Sequence, residues 1–138
     1  MTKFMTVVSI GLISAALVGC SAPPPDAALV TDISQETLQN DPPADALILD
    51  VRTPGEYDAG HVPDAMNIPH DQLSGRLSEL EAGSDRAIVV YCKSGKRAGI
   101  ASSILLDAGY ANVLHLVGDM DGWKAAGLPM ESNEAVAQ

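Results

Sequence analysis

Cys92-Lys93-Ser94-Gly95-Lys96-Arg97 places a nucleophile, a glycine and three cations within six consecutive positions. The thiolate, not the thiol, is the nucleophilic form of cysteine, and a helix N-terminus flanked by cations favours it. Successive backbone N–H groups of a tight loop can converge on an anion, with Gly95 allowing a turn that other residues resist. The planar fork of Arg97 suits an oxyanion better than an ammonium does. The segment therefore predicts a small-oxyanion site in which Cys92 reacts and Lys93, Ser94, Gly95, Lys96 and Arg97 form the binding loop. On residue types alone, sulfur transfer, phosphoryl or arsenyl chemistry and thiol redox chemistry all remain open.

A loop of this kind needs a strand before it and a helix after it. Ala87-Ile88-Val89-Val90-Tyr91 is a short apolar run of the sort buried on both faces of a parallel sheet, and Ala46-Leu47-Ile48-Leu49 is a second. Leu29 to Ile33 and Asn112 to Leu116 are weaker strand candidates. Thr53-Pro54-Gly55-Glu56 has a capping-box layout and predicts a short helix ending near Gly60. Leu73, Leu77 and Leu80 recur at helical spacing, as do Ile100, Ile104 and Leu105 before Gly109. The second of these helices should start near Arg97 or Ala98. Strands alternating with helices of this size predict an α/β domain with a mainly parallel sheet and helices on both faces. Ligands of such sheets bind at the carboxyl ends of the strands, where Cys92 falls.

The N-terminus reads differently. Lys3 precedes an apolar run from Phe4 to Val18, about 15 residues and so shorter than the ~20 that span a bilayer. Residues 1–19 are expected to be a signal peptide. Leu17-Val18-Gly19-Cys20 resembles the lipobox of bacterial lipoproteins, which implies acylation of Cys20 and anchoring of an extracytoplasmic protein in the cell envelope, with Ser21 leaning towards the outer membrane. Residues 20–27, with Pro23-Pro24-Pro25, read as an extended tether, 28–131 as the folded domain and 132–138 as a flexible tail. A formal net charge of −10 argues against nucleic-acid partners, whose phosphates reward the opposite sign. Two cysteines, one of them expected to carry lipid, leave Cys92 with no partner for a disulfide or for dithiol chemistry within the chain.

From about Leu29 to Met130 the chain resembles the rhodanese family. Leu49-Asp50-Val51-Arg52-Thr53-Pro54-Gly55-Glu56-Tyr57 is similar to its first signature, and Gly60-His61-Val62-Pro63-Asp64-Ala65-Met66-Asn67-Ile68-Pro69 to its second. Tyr91 to Arg97 resembles its active-site loop, and Gly118 to Trp123 with Gly127-Leu128-Pro129 its C-terminal end. The resemblance implies a five-stranded sheet and a sulfurtransferase. A sulfane sulfur from thiosulfate or a similar donor would pass to Cys92 as a persulfide and then to cyanide or a thiol, with a protein acceptor or reductant as a further partner. It implies no cofactor. Asp64 and Asp119 depart from the family pattern where glycines are common, and both read as turn variants.

Several other residues carry mainly structural expectations. Asp50, Arg52 and Glu56 are expected to form scaffold ion pairs. His61 should be a buried, hydrogen-bonded ring, and Trp123 core packing; His70 and His115 receive no role. Three scattered histidines and a lone cysteine do not make metal-ligand spacing, so no metal is expected. Tyrosine-type phosphatases need Cys-x5-Arg to enclose a phosphoryl group, whereas here the arginine comes one residue early and position 98 is Ala98. The shorter loop favours sulfur. A sulfur-carrier or binding module without turnover is the non-enzymatic alternative.

Overall fold

The computed structural model of the protein describes residues 29–133. The expected signal peptide, Cys20, the tether and all but the first two residues of the expected tail lie outside the described residues. Strands and helices alternate: β1 (Thr31–Ile33), α1 (Gln35–Asn40), β2 (Leu47–Asp50), α2 (Pro54–Ala59), β3 (Met66–Asn67), 3-10 turns at Leu73–Gly75 and Leu77–Leu80, β4 (Ile88–Tyr91), α3 (Lys96–Asp107), β5 (Val113–Leu116) and α4 (Asp119–Ala125). The strands pair in the order β1-β5-β4-β2-β3, and every pairing is parallel.

The central strand shows why the sheet forms here. All four residues of β4 are buried, and their side chains alternate between two cores as a period of two requires. Ile88, Val90 and Cys92 join Leu49, Leu73, Leu80, Ala101 and Leu105 beneath α3. Val89 and Tyr91 join Leu38, Leu116, Met120 and Trp123 beneath α1 and α4. Fully burying each such large apolar side chain contributes about 1.5–3 kcal/mol. Only a strand covered on both faces by helices can use an uninterrupted apolar run in this way, which is the layered arrangement the sequence predicts.

Local signals explain the ends of the elements that reach the site. The Thr53 side chain accepts from the Glu56 N–H, the Glu56 side chain reaches back to the Thr53 N–H, Pro54 occupies the first helical turn and Gly60 ends α2. α3 begins at Lys96, one residue earlier than Arg97, because Gly95 adopts φ +107° as its N-cap. Leu73, Leu77 and Leu80 do not form the expected α-helix. Gly75 interrupts the stretch, and the chain makes two 3-10 turns that still bury Leu73 and Leu80, since a three-residue period places side chains on one side almost as well. β3 is only two residues long, too short to leave a period in the sequence.

Candidate active site

Cys92 follows β4 directly and is 1% exposed. Its sulfur accepts the Gly95 N–H at 3.0 Å, so the loop folds back over the thiol as a turn that the left-handed glycine makes possible. The backbone is gripped from below by the start of α4. The Met120 N–H donates to the Cys92 carbonyl and the Asp121 N–H to the Lys93 carbonyl, both at 3.0 Å. The Cys92 N–H donates to Asp119 Oδ1 at 2.8 Å. Lys93, Ser94 and Lys96 are exposed around the loop. The charges of Lys93 and Lys96 give an anion a cationic approach on an otherwise acidic chain.

Arg97 sits differently from the other cations. Its two terminal nitrogens donate to Glu56 at 2.7 and 2.9 Å, joining α3 to α2. The hydrogen bond from Arg97 holds the Glu56 carboxyl down at about 2, although partial burial opposes this. Glu56 reciprocally raises Arg97, and negative charge at Cys92 acts in the same direction. Arg97 thus lies within electrostatic reach of the sulfur while two of its five donors are already engaged. Lys93 and Lys96, by contrast, make no salt bridge among the described residues.

Asp50 and Arg52 form a buried ion pair at 2.6 Å, and Arg52 also donates to the Gly60 carbonyl at 2.8 Å. This ties the end of β2 to the second signature. Burial works to lower the Arg52 guanidinium, but its hydrogen bonds and charge interaction with Asp50 prevail and raise it. The Tyr91 phenol is raised well above its ordinary range by burial and by Asp50, so its oxygen keeps its proton and accepts the Val62 N–H at 3.1 Å. The pairs are scaffold, as the sequence predicts. His61 is likewise buried, stacked on Tyr57 at 3.7 Å, with Nδ1 2.8 Å from the Tyr57 carbonyl. Trp123 packs in the core and donates to the Pro129 carbonyl.

Two residues of the site escaped the sequence reading. Asp119, expected to be a turn variant, does adopt φ +51°, yet its carboxylate is buried against the Cys92 N–H and against His115 Nε2 at 2.9 Å. His115, given no role, completes the contact. The departure from glycine at 119 was the available signal. Asp64, the other departure, has φ +63° and an exposed side chain, as a turn variant should. Among the described residues no group of three or more His, Cys, Asp or Glu side chains is arranged to hold a metal. A cleft of about 420 Å³ between Leu38, Pro43, Pro63, Trp123 and Pro129 is not lined by Cys92. A smaller groove of about 260 Å³ runs beside the loop past Gly95, Gly99, Ser102 and His115.

A thiol at the carboxyl edge of a five-stranded parallel sheet, cradled by the loop that opens the next helix, defines an α/β protein with a buried free cysteine at the end of its central strand. The family model described as a rhodanese-like domain matches residues 34–126, and the chain belongs to the rhodanese-like family. It is 37% identical over 108 residues to a protein of Allochromatium vinosum named a sulfurtransferase, an alignment covering 77% of this chain and 99% of that one. It is 40% identical to an HTH-type transcriptional regulator of Mycobacterium tuberculosis over 73% of this chain, but spans only 44% of the regulator's length. Among solved structures it resembles one described as rhodanese with anions from E. coli, with 30% identity and a TM-score of 0.54 over 63% of this chain and 98% of that one.

Proposed function

We propose that the protein is a sulfurtransferase in which Cys92 carries the sulfur. The Cys92 thiolate attacks the sulfane sulfur of thiosulfate or a similar anion. A new S–S bond forms as the donor's S–S bond breaks, and sulfite leaves with the electron pair. Cyanide or a thiolate then attacks the outer sulfur of the persulfide, and the Cys92 thiolate leaves as thiocyanate or a new persulfide forms. Dividing one transfer into two displacements is covalent catalysis.

The observation that carries this reading is the Gly95 N–H held 3.0 Å from the Cys92 sulfur at the base of a loop ringed by lysines. Such a donor can serve the anionic outer sulfur of a persulfide as it serves the thiolate. The similarity to a named sulfurtransferase along almost its full length, and to a rhodanese with bound anions, supports the same chemistry. The regulator that contains a similar domain supports a second use of the fold, as a sulfur-carrying or sensing module that passes sulfur to a protein rather than to a small acceptor. Both uses share the first half-reaction. The lipobox-like Cys20 supports a lipid-anchored, extracytoplasmic location, where a thiol-class reductant would return Cys92 to its reduced state.

The chain beginning after Cys20 is treated with thiosulfate, its intact mass recorded, and cyanide then added while thiocyanate is assayed. Gain of one sulfur that cyanide removes, absent from Cys92→Ser, is expected. A free thiol that takes up no sulfur from thiosulfate would refute this donor chemistry, and uptake without release to cyanide or small thiols would favour the carrier.

A further inference from the structure

The transfer written above makes no use of Asp119, a carboxylate that is 2% exposed and yet lies against the reacting residue. Its Oδ1 accepts the Cys92 N–H at 2.8 Å, and its Oδ2 lies 2.9 Å from His115 Nε2. An ionised carboxylate can only accept, so His115 Nε2 carries the hydrogen and donates it. The other ring nitrogen of His115 lies 3.4 Å from Asp32 Oδ1 on β1. Asp32, Gly95, Gly99 and Ser102 line one groove with His115 beside the loop. Asp119 and Asp32 are thus the charged groups that face His115 from α4 and β1.

The same carboxylate lies under the loop. A Cβ added to Gly95 would come within 3.2 Å of Asp119 Oδ2 and 3.8 Å of His115 Nε2. The residue whose N–H reaches the sulfur therefore rests on the Asp119–His115 pair. The next two residues of α4 take the Cys92 and Lys93 carbonyls. Three consecutive residues, 119 to 121, hold the N–H and C=O of Cys92 and the C=O of the residue after it. A neutral acceptor would satisfy one backbone N–H, whereas burying a carboxylate requires a partner to offset its desolvation. His115 is that partner, and it also fixes the carboxylate's orientation.

We propose that Asp119, oriented by His115, is a positioning residue for Cys92. It locks the Cys92 peptide so that the Gly95 N–H stays aimed at the sulfur and, after transfer, at the persulfide. This rests on the reading of Cys92 as the sulfur carrier, but its geometry can be tested apart from transfer.

Asp119→Gly removes the carboxylate while glycine adopts the φ of +51° without strain. Asp119→Asn keeps an acceptor of the same shape, and His115→Phe removes the orienting donor. Two readouts are compared with wild type: the rate and KM of sulfur uptake from thiosulfate, and the Cys92 and Gly95 amide proton shifts by NMR. Asp119→Gly is expected to slow uptake roughly ten- to hundredfold with KM little changed, and to move both amide protons upfield. Asp119→Asn is expected to restore most of the rate and the Cys92 shift, with His115→Phe intermediate. Wild-type uptake and wild-type amide shifts in Asp119→Gly would overturn the proposal, as would an Asn variant no better than the Gly variant. If wild type itself takes up no sulfur, the transfer reading fails and the amide shifts alone decide whether Asp119 positions Cys92.

Discussion

Glu56 and Arg97 lie 41 positions apart in the chain and meet through paired hydrogen bonds of 2.7 and 2.9 Å, closing α2 against the first turn of α3 beside the Cys92 loop. Both are partly exposed, so solvent screening limits the pair to about 1 kcal/mol. The Glu56 carboxyl is depressed from 4.5 to about 2 in the folded state. The sign follows: its contribution is fully present above about pH 4.5 and is lost as pH falls towards 2. Glu56→Gln should lower unfolding stability by about 1 kcal/mol at pH 7. Urea titrations across pH should show the difference from wild type shrinking over that acidic window.

Asp50 makes a stronger prediction because its partner has no route to water. Arg52 is 2% exposed and bonded to Asp50 and the Gly60 carbonyl. Asp50→Ala leaves a buried guanidinium without its counter-charge and should cost about 3–5 kcal/mol. Chemical denaturation measures this directly. A loss below about 1 kcal/mol would mean that Arg52 finds another partner or reaches solvent.

Lys93 and Lys96 touch no carboxylate among the described residues at salt-bridge distance and face solvent beside the thiol. The role proposed for them is attraction of an anionic donor rather than stability. Lys93→Ala/Lys96→Ala should reduce kcat/KM for thiosulfate about tenfold at low salt, with a smaller deficit as ionic strength rises. Kinetics at two salt concentrations separates this from a folding effect, since the unfolding midpoint should stay within experimental error of wild type.

Cys20 carries the proposal about location. In the full-length protein produced in a bacterium, wild type should fractionate with membranes and incorporate labelled fatty acid, and Cys20→Ser should do neither. Membrane association that survives the substitution without label would point to retention of the apolar N-terminal run instead.

The sequence made β2, β4 and the loop after β4 legible because their signals are local. An apolar run, a glycine and clustered cations stand within a dozen residues of one another, and the capping box of α2 is likewise contained in four positions. β3 was accessible only through the family resemblance, since two residues cannot display a period. The stretch from Leu73 to Leu80 misled because threefold and 3.6-fold spacing coincide over so few residues. The pairing of Arg97 with Glu56 and of Cys92 with Asp119 joins residues 41 and 27 positions apart. Such contacts depend on how the sheet is ordered, which no local pattern encodes. Asp119 was noticed as a departure, but its backbone role concealed the role of its side chain.

The uniformly parallel sheet gives the molecule a direction. β1 begins with Thr31 at the edge where every strand begins, and Cys92 stands at the edge where every strand ends. The nine residues from Cys20 to Leu29 can span no more than about 30 Å even when drawn out fully. A lipid on Cys20, as proposed above, would attach the domain at the edge opposite the one that carries Cys92. Attachment at that edge would leave the Cys92 rim open to water-soluble donors and acceptors.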